Sequence, residues 1–144
     1  MLDRFSQQGV DPTRVSFVDY LPGEQYLSQY QRLDIALDPF PYGGGTTTCD
    51  ALWMGVPVIT LRGKTAVGRS GVTLLNSVGL TELVARSADE YVELAKQLAG
   101  DLPRLEKLRT GLRQRMLASP LTDGPRFARS VEAAYRQMWR NWTS

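Results

Sequence analysis

The chain has 144 residues, with 17 Lys and Arg, 15 Asp and Glu, no His, one Cys and a formal net charge of +2. This length suits one domain with a core of its own. Without His, the residues supply neither Ser-His-Asp nor Cys-His catalysis nor a His-built zinc site, and a single Cys excludes an intrachain disulfide framework. The apolar runs fall well short of the roughly 20 residues a membrane span needs. The opening MLDRFSQQG has no apolar signal core, so a cytoplasmic setting and no membrane partner are expected.

Charge is unevenly placed. Residues 1–100 carry 8 basic and 11 acidic side chains, whereas 101–144 carry 9 basic and 4 acidic ones. The basic residues of the second part are mostly Arg at helical spacing, with no stacking pattern of aromatics between them. They read as solvated helix faces, and no nucleic-acid partner is expected.

In chain order, residues 2–8 predict a short helix stopped by Gly9, and Asp11-Pro12-Thr13 a turn. Val15-Ser16-Phe17-Val18 is rich in β-branched and aromatic residues and predicts a strand. Pro22-Gly23 breaks it, and Glu24 to Arg32 predicts a helix. Asp34–Asp38 predicts a second strand. Pro39 to Gly45 (PFPYGGG) predicts a loop, Thr46 to Met54 a helix ending at Gly55, and Pro57 to Leu61 a third strand. After a loop at 62–70, a helix over Val72–Val78 closes at Gly79, and Leu83-Val84-Ala85 predicts a fourth strand. From there the pattern is helical. Ser87 with Glu90 suggests a capping box for a helix to Ala99. Pro103 opens a helix to about Ala118, Ser119-Pro120 stops it, and Gly124-Pro125 opens a last helix over about 126–141.

Alternating strands and helices over residues 15–85 predict an α/β unit with a partial Rossmann-like parallel sheet. The expected organisation is one domain, an α/β unit over 1–86 with the helices of 87–144 packed back on it. In open sheets of this kind ligands bind beyond the carboxyl ends of the strands. That places the candidate site at the loops 39–46 and 62–70.

The stretch Tyr42-Gly43-Gly44-Gly45-Thr46-Thr47-Thr48-Cys49-Asp50 lies between a strand and a helix. Glycines allow a sharp bend and a close anion, the helix start offers free amides and a partial positive charge, and Thr46 and Thr47 add hydroxyls. Together they suit a phosphate; a tight turn with a Thr cap is the plain structural alternative. The segment is neither a Walker loop nor a GxGxxG fingerprint. Asp50, one turn beyond Thr46, is an acceptor-only carboxylate that can take both hydroxyls of a ribose; a carboxylate merely favoured at a helix start is the alternative. Asp38 is expected to cap the turn that follows it. Asp34 and Asp38 stand at opposite ends of one strand and cannot jointly hold a metal. Cys49 is expected to be a small packing residue.

The run Asp50-Ala-Leu-Trp-Met-Gly-Val-Pro-Val resembles the nucleotide-binding half of the two-domain GT-B glycosyltransferases. Arg14-Val-Ser-Phe17, Leu33-Asp34, Leu37-Asp38, Gly44, Thr46-Thr47, Asp50, Gly63, Thr65, Arg69, Glu82-Leu83, Ser119-Pro120-Leu121 and Gln137-Met138-Trp139 are spaced as in one family. Over about residues 14–139 the chain resembles the C-terminal catalytic half of the O-GlcNAc transferase/SPINDLY family (glycosyltransferase family 41), closest to its SPINDLY-like and bacterial branches.

The resemblance implies transfer of a sugar from UDP-sugar to a Ser or Thr hydroxyl, with GlcNAc the expected sugar and fucose the alternative. It implies no metal cofactor, only UDP-sugar as co-substrate. Gly44, Gly45, Thr46 and Thr47 would contact the diphosphate and Asp50 the ribose. Tyr26 would border the uracil or simply pack, and Arg69 would bind the donor or pin its own loop. Lys64 would be solvated. The sequence departs from the family where a His commonly precedes the Thr pair, here Gly45, and where a Lys and a His stand in the loop after the first predicted strand, here Gly23 and Tyr26. The family's first domain, with the acceptor groove and proposed general base, and the start of this one lie outside the chain. The acceptor protein would be met through that domain, the chain alone would be inactive, and an exposed sheet edge would invite self-association. A non-catalytic nucleotide-sugar-binding or assembly module derived from the family is the alternative.

Overall fold

The computed structural model describes residues 2–143. Its centre is a parallel three-stranded sheet of β1 (Ala36–Leu37), β2 (Val58–Leu61) and β3 (Val84–Ala85), in the order β1-β2-β3. Ala36 pairs with Val58 and Leu37 with Ile59, then Thr60 with Val84 and Leu61 with Ala85. Parallel neighbours need a crossover, and the sequence supplies one helix for each, α3 (Thr46–Trp53) and α4 (Ser70–Ser77). Before the sheet lie α1 (Leu2–Gln7), a 3-10 turn at Pro12–Arg14, and α2 (Gly23–Gln29), which tightens into a 3-10 turn at Tyr30–Arg32. After it come α5 (Ala88–Gly100), α6 (Leu102–Leu117) and α7 (Gly124–Thr143).

The helix ends follow local chemistry. The Ser87 hydroxyl accepts from the Glu90 amide and the Glu90 carboxylate accepts from the Arg86 amide, so two otherwise orphaned donors are satisfied at the start of α5. Asp101 likewise caps α6 by accepting from the Arg104 amide. Gly55 turns the chain out of α3 at φ +83, and a Cβ there would come within 2.7 Å of the Arg109 carbonyl oxygen. Glycine is therefore required twice over, for its backbone angle and for the close approach of α6.

The core is Leu52, Val56, Val58, Ile59, Leu75, Leu80, Leu83, Leu98 and Leu112, all essentially removed from water. It lies between the sheet and helices α3 to α6. The arginines of α6 fasten this layer. Arg109 donates to the Leu33 and Gln31 carbonyls, and Arg113 donates to the Trp53 carbonyl with its guanidinium 5.0 Å above the Trp53 ring. Arg115 donates to the Gly79 carbonyl. Part of the basic charge of the second half thus neutralises the carbonyl ends of loops and helices rather than lying free in water.

Three expectations need correction. Val15–Val18 forms no strand, and Phe17 and Val18 stay mostly exposed. A strand-forming composition makes a ladder only where a partner strand is within reach, and β1 pairs with β2 alone. The strands predicted over 34–38 and 83–85 shorten to their two paired residues. The last helix carries no buried residue: α5 and α6 pack on the sheet unit, but Phe127, Tyr135, Met138, Trp139 and Trp142 of α7 face solvent. Among the described residues β1 is an edge strand, and its Leu37 is exposed.

Candidate functional site

Both loops that leave the carboxyl ends of β1 and β2 meet at one place. Asp38 directly follows β1 and is 4% exposed. Its amide donates to the Ile59 carbonyl, so its backbone continues the ladder while its side chain turns into the loop. Oδ1 accepts from the Gly44 amide at 2.6 Å and Oδ2 accepts from the Thr60 hydroxyl at 2.7 Å. The Asp38 carbonyl accepts from the Tyr91 hydroxyl of α5 at 2.8 Å. The expected turn cap is therefore present, and it reaches further than a cap: one carboxylate ties the glycine run to β2, and Tyr91 ties the same residue to α5. No cation faces this carboxylate among the described residues; its partners are an amide and a hydroxyl.

The second loop closes on the first. Ser70 Oγ lies 3.1 Å from the Gly44 carbonyl and 3.0 Å from the Val67 carbonyl. The Gly63 amide donates to the Gly68 carbonyl, and a Cβ on Gly63 would lie 2.7 Å from that oxygen. At Gly44 a Cβ would stand 2.6 Å from Thr48 Oγ1 and 2.9 Å from Thr47 Oγ1. Here the glycine is needed so that the loop can fold onto the start of α3. The Phe40-Pro41 bond in this loop is cis.

The start of α3 is open. Its first intrahelical bond runs from the Cys49 amide to the Gly45 carbonyl, so the amides of Thr46, Thr47 and Thr48 have no partner within the helix. Gly45, Thr46 and Thr47 are exposed, Gly43, Gly44 and Asp50 are half-buried, and Thr48 is buried. Gly45 precedes the helix without a side-chain cap. Asp50 lies one turn on, where its Oδ2 accepts from the Tyr26 hydroxyl at 3.1 Å. Tyr26 in turn contacts Tyr30. Beside them opens a cleft of about 770 Å³, walled by Tyr26, Tyr30, Thr47 and the extended segment from Val18 to Leu21.

Of the residues singled out from the sequence, Gly44, Gly45, Thr46, Thr47, Asp50 and Tyr26 come together. Arg69 is exposed and donates to the Lys64 carbonyl at 2.9 Å, which pins its own loop. Lys64 is exposed, and Cys49 is half-buried against the core, its thiol pKa raised by burial and then by Asp50. Thr60, Ser70 and Tyr91 were not among the sequence candidates. Their roles rest on contacts between residues 22 to 53 positions apart, which no local pattern encodes.

Tyr91 makes the brace pH-sensitive. Burial, and after it the nearby Asp38 charge, pushes its phenol up to about 12. The ordinary value is about 10, so the folded state favours the neutral phenol. Its stabilising contribution is then complete below about pH 10 and is lost as pH rises toward 12. Burial and the neighbouring Tyr30 and Asp50 raise the Tyr26 phenol as well. Urea denaturation from pH 9 to 12 should therefore show stability falling above pH 10, and Tyr91→Phe should flatten that fall. An unchanged slope in Tyr91→Phe would remove Tyr91 from the account.

Comparison with known proteins decides the lineage. The description of Glycosyl transferase family 41 matches residues 1–131. The chain belongs to glycosyltransferase family 41. It is 48% identical over 142 residues to a protein of Petunia hybrida named probable UDP-N-acetylglucosamine–peptide N-acetylglucosaminyltransferase SPINDLY, covering 98% of this chain and 15% of that protein. It is 30% identical over 138 residues to the UDP-N-acetylglucosamine–peptide N-acetylglucosaminyltransferase of Caenorhabditis elegans, covering 96% of this chain and 12% of that one. Among solved structures, a Thermobaculum terrenum O-GlcNAc transferase mutant superimposes with a TM-score of 0.91 at 40% identity, over 97% of this chain and 27% of the other. The fold is thus that of the family's GT-B α/β half. The chain thus spans about 15% of the length of that Petunia relative. No helix among the described residues is long and apolar enough to cross a membrane.

Proposed function

We propose that the chain is the donor-binding part of a protein O-glycosyltransferase, taking a UDP-sugar, UDP-GlcNAc by analogy with the names of its relatives, for transfer to Ser or Thr. The observation that carries this reading is the open start of α3, with free amides at Thr46 and Thr47, two exposed hydroxyls, and Asp50 one turn deeper. Gly44 and Gly45 let the diphosphate approach the backbone, and the amides, hydroxyls and helix dipole meet the charge that grows on the departing UDP. Asp50 receives the ribose hydroxyls. The Tyr26 ring borders the nucleoside side, and the Arg69 guanidinium serves to pin its own loop. This chemistry draws on amides and hydroxyls and calls on no metal. The acceptor protein is met by parts of a longer enzyme, as the small share of each relative that this chain covers suggests.

Calorimetric titration with UDP, GDP and NAD, with a chelator present, tests the reading. UDP should bind in preference to the other two. Asp50→Ala should weaken UDP by about 10-fold or more, since hydrogen bonds to a charged acceptor are worth about 1.5–3 kcal/mol each. Absence of UDP binding at millimolar concentration, or an Asp50→Ala protein that binds as well as the parent, would overturn it.

A further inference from the structure

The Asp50 carboxylate is not left to find its own orientation. Tyr30 is 8% exposed and belongs to the core, and Tyr26 stands edge-on to it with ring centroids 5.4 Å apart and planes at 85°. The two hydroxyls are 2.6 Å apart, and Tyr26 Oη is 3.1 Å from Asp50 Oδ2. Each phenol has one proton and a carboxylate only accepts, so the Tyr26 proton goes to Asp50. Tyr30 then donates to the Tyr26 oxygen; its other acceptor, the Thr47 carbonyl, lies further off at 3.3 Å. A hydroxyl that accepts one hydrogen bond is a better donor for the next. The chain of contacts runs from the core, through α2, to a single oxygen of a side chain on α3. Oδ1 accepts from no described residue.

From this we infer that Tyr26 is a positioning residue for nucleotide binding: its hydroxyl, directed by Tyr30, fixes the Asp50 carboxylate by Oδ2 and reserves Oδ1 for a ribose hydroxyl. The inference rests on the reading of Asp50 as the ribose contact and goes beyond it, since it gives the Tyr26 hydroxyl a task distinct from bordering the base. A carboxylate free to rotate would have to be ordered at each binding event, and immobilising a side chain at an interface has a cost. Here the fold has ordered it in advance. The Tyr26 ring, anchored on Tyr30, delivers its oxygen to Asp50 across 24 positions of sequence.

Tyr26→Phe keeps the ring and its contact with Tyr30 and removes only the hydroxyl. Calorimetry on the parent and the variant, with UDP and inorganic pyrophosphate as probes, should show UDP weakened about 5–10-fold, the size of a lost hydrogen bond, with pyrophosphate unchanged. Equal losses for both probes would mark a general loosening of α2 against α3, and no loss for UDP would remove the positioning role; either result overturns the inference. A ligand-free readout runs beside it. Hα–Hβ couplings of Asp50 by NMR should report one side-chain rotamer in the parent and averaged rotamers in Tyr26→Phe and, to a lesser degree, in Tyr30→Phe. Averaged couplings in the parent sink the inference. A single rotamer in a parent that fails to bind UDP sinks the functional reading and leaves the positioning geometry standing.

Discussion

Asp38→Ala should destabilise the protein by about 2–5 kcal/mol and abolish measurable UDP binding. The change strips the acceptor from two donors at once, the Gly44 amide and the Thr60 hydroxyl. Each buried donor left without a partner costs about 1–3 kcal/mol. At a position 4% exposed, the void left by the carboxylate is too enclosed for water to replace it freely. The functional loss follows from geometry rather than from contact with a nucleotide. Gly44 would lose its anchor to Asp38, and Gly45 with the first turn of α3 would lose the fixed approach that the bend gives them. Asp38→Asn separates the two effects. An amide oxygen can still accept one of the two bonds, while the amide nitrogen opposes the other donor, so its loss should fall between the parent and Asp38→Ala. Urea denaturation and UDP titration on both variants are the measurements. A stability change under about 0.5 kcal/mol in Asp38→Ala, the range of ordinary surface substitutions, would show that the loop stands without its brace.

Legibility in the sequence followed the range of the interactions. Ser87 announced its helix because a cap joins residues three apart, whereas the Asp101 cap of α6 went unread behind Pro103. Gly55 and Gly79 marked helix ends because a positive φ is a property of one residue. The bend and helix start of the Gly44–Asp50 segment were legible for the same reason, being consecutive, and their position beyond the carboxyl ends of the strands made the segment the candidate site. Asp38 was legible halfway. Its cap on Gly44 is local, but its hold on Thr60 and the support of Tyr91 come from β2 and α5. Tyr26 was singled out as a border for the base or a plain packing residue; the contact of its hydroxyl with Asp50 joins residues 24 apart, which no local pattern encodes. Val15–Val18 failed as a strand because composition carries no information on whether a neighbour is present to pair with. The exposed apolar side of α7 shows the same limit: its helical periodicity was plain, but periodicity names a face and not what it packs against.

Gly71→Ala is expected to cost about 1–3 kcal/mol, although an alanine inside a helix ordinarily stabilises by about 0.8–1 kcal/mol over glycine. Gly71 is the second residue of α4, is buried, and has no positive φ, so neither backbone strain nor helix propensity argues against alanine. The objection is steric. An added Cβ would collide with Asp38 Oδ2 and Thr60 Oγ1 and would come within 2.9 Å of Thr60 Cβ. These are the two side chains joined by the buried hydrogen bond that braces the loop, so neither can yield without weakening it. The remaining relief is for α4 to move outward, and Ser70 would move with it, away from the Gly44 carbonyl. The substitution should therefore weaken UDP binding as well as stability. Gly111→Ala on α6 is the matched control, because a Cβ there meets nothing within 4 Å. It should stabilise by about 0.5–1 kcal/mol and leave nucleotide affinity unchanged. Thermal and urea denaturation of the two variants side by side gives the comparison, and two alanines that shift stability in the same direction would contradict the close approach of α4 to the Asp38–Thr60 pair.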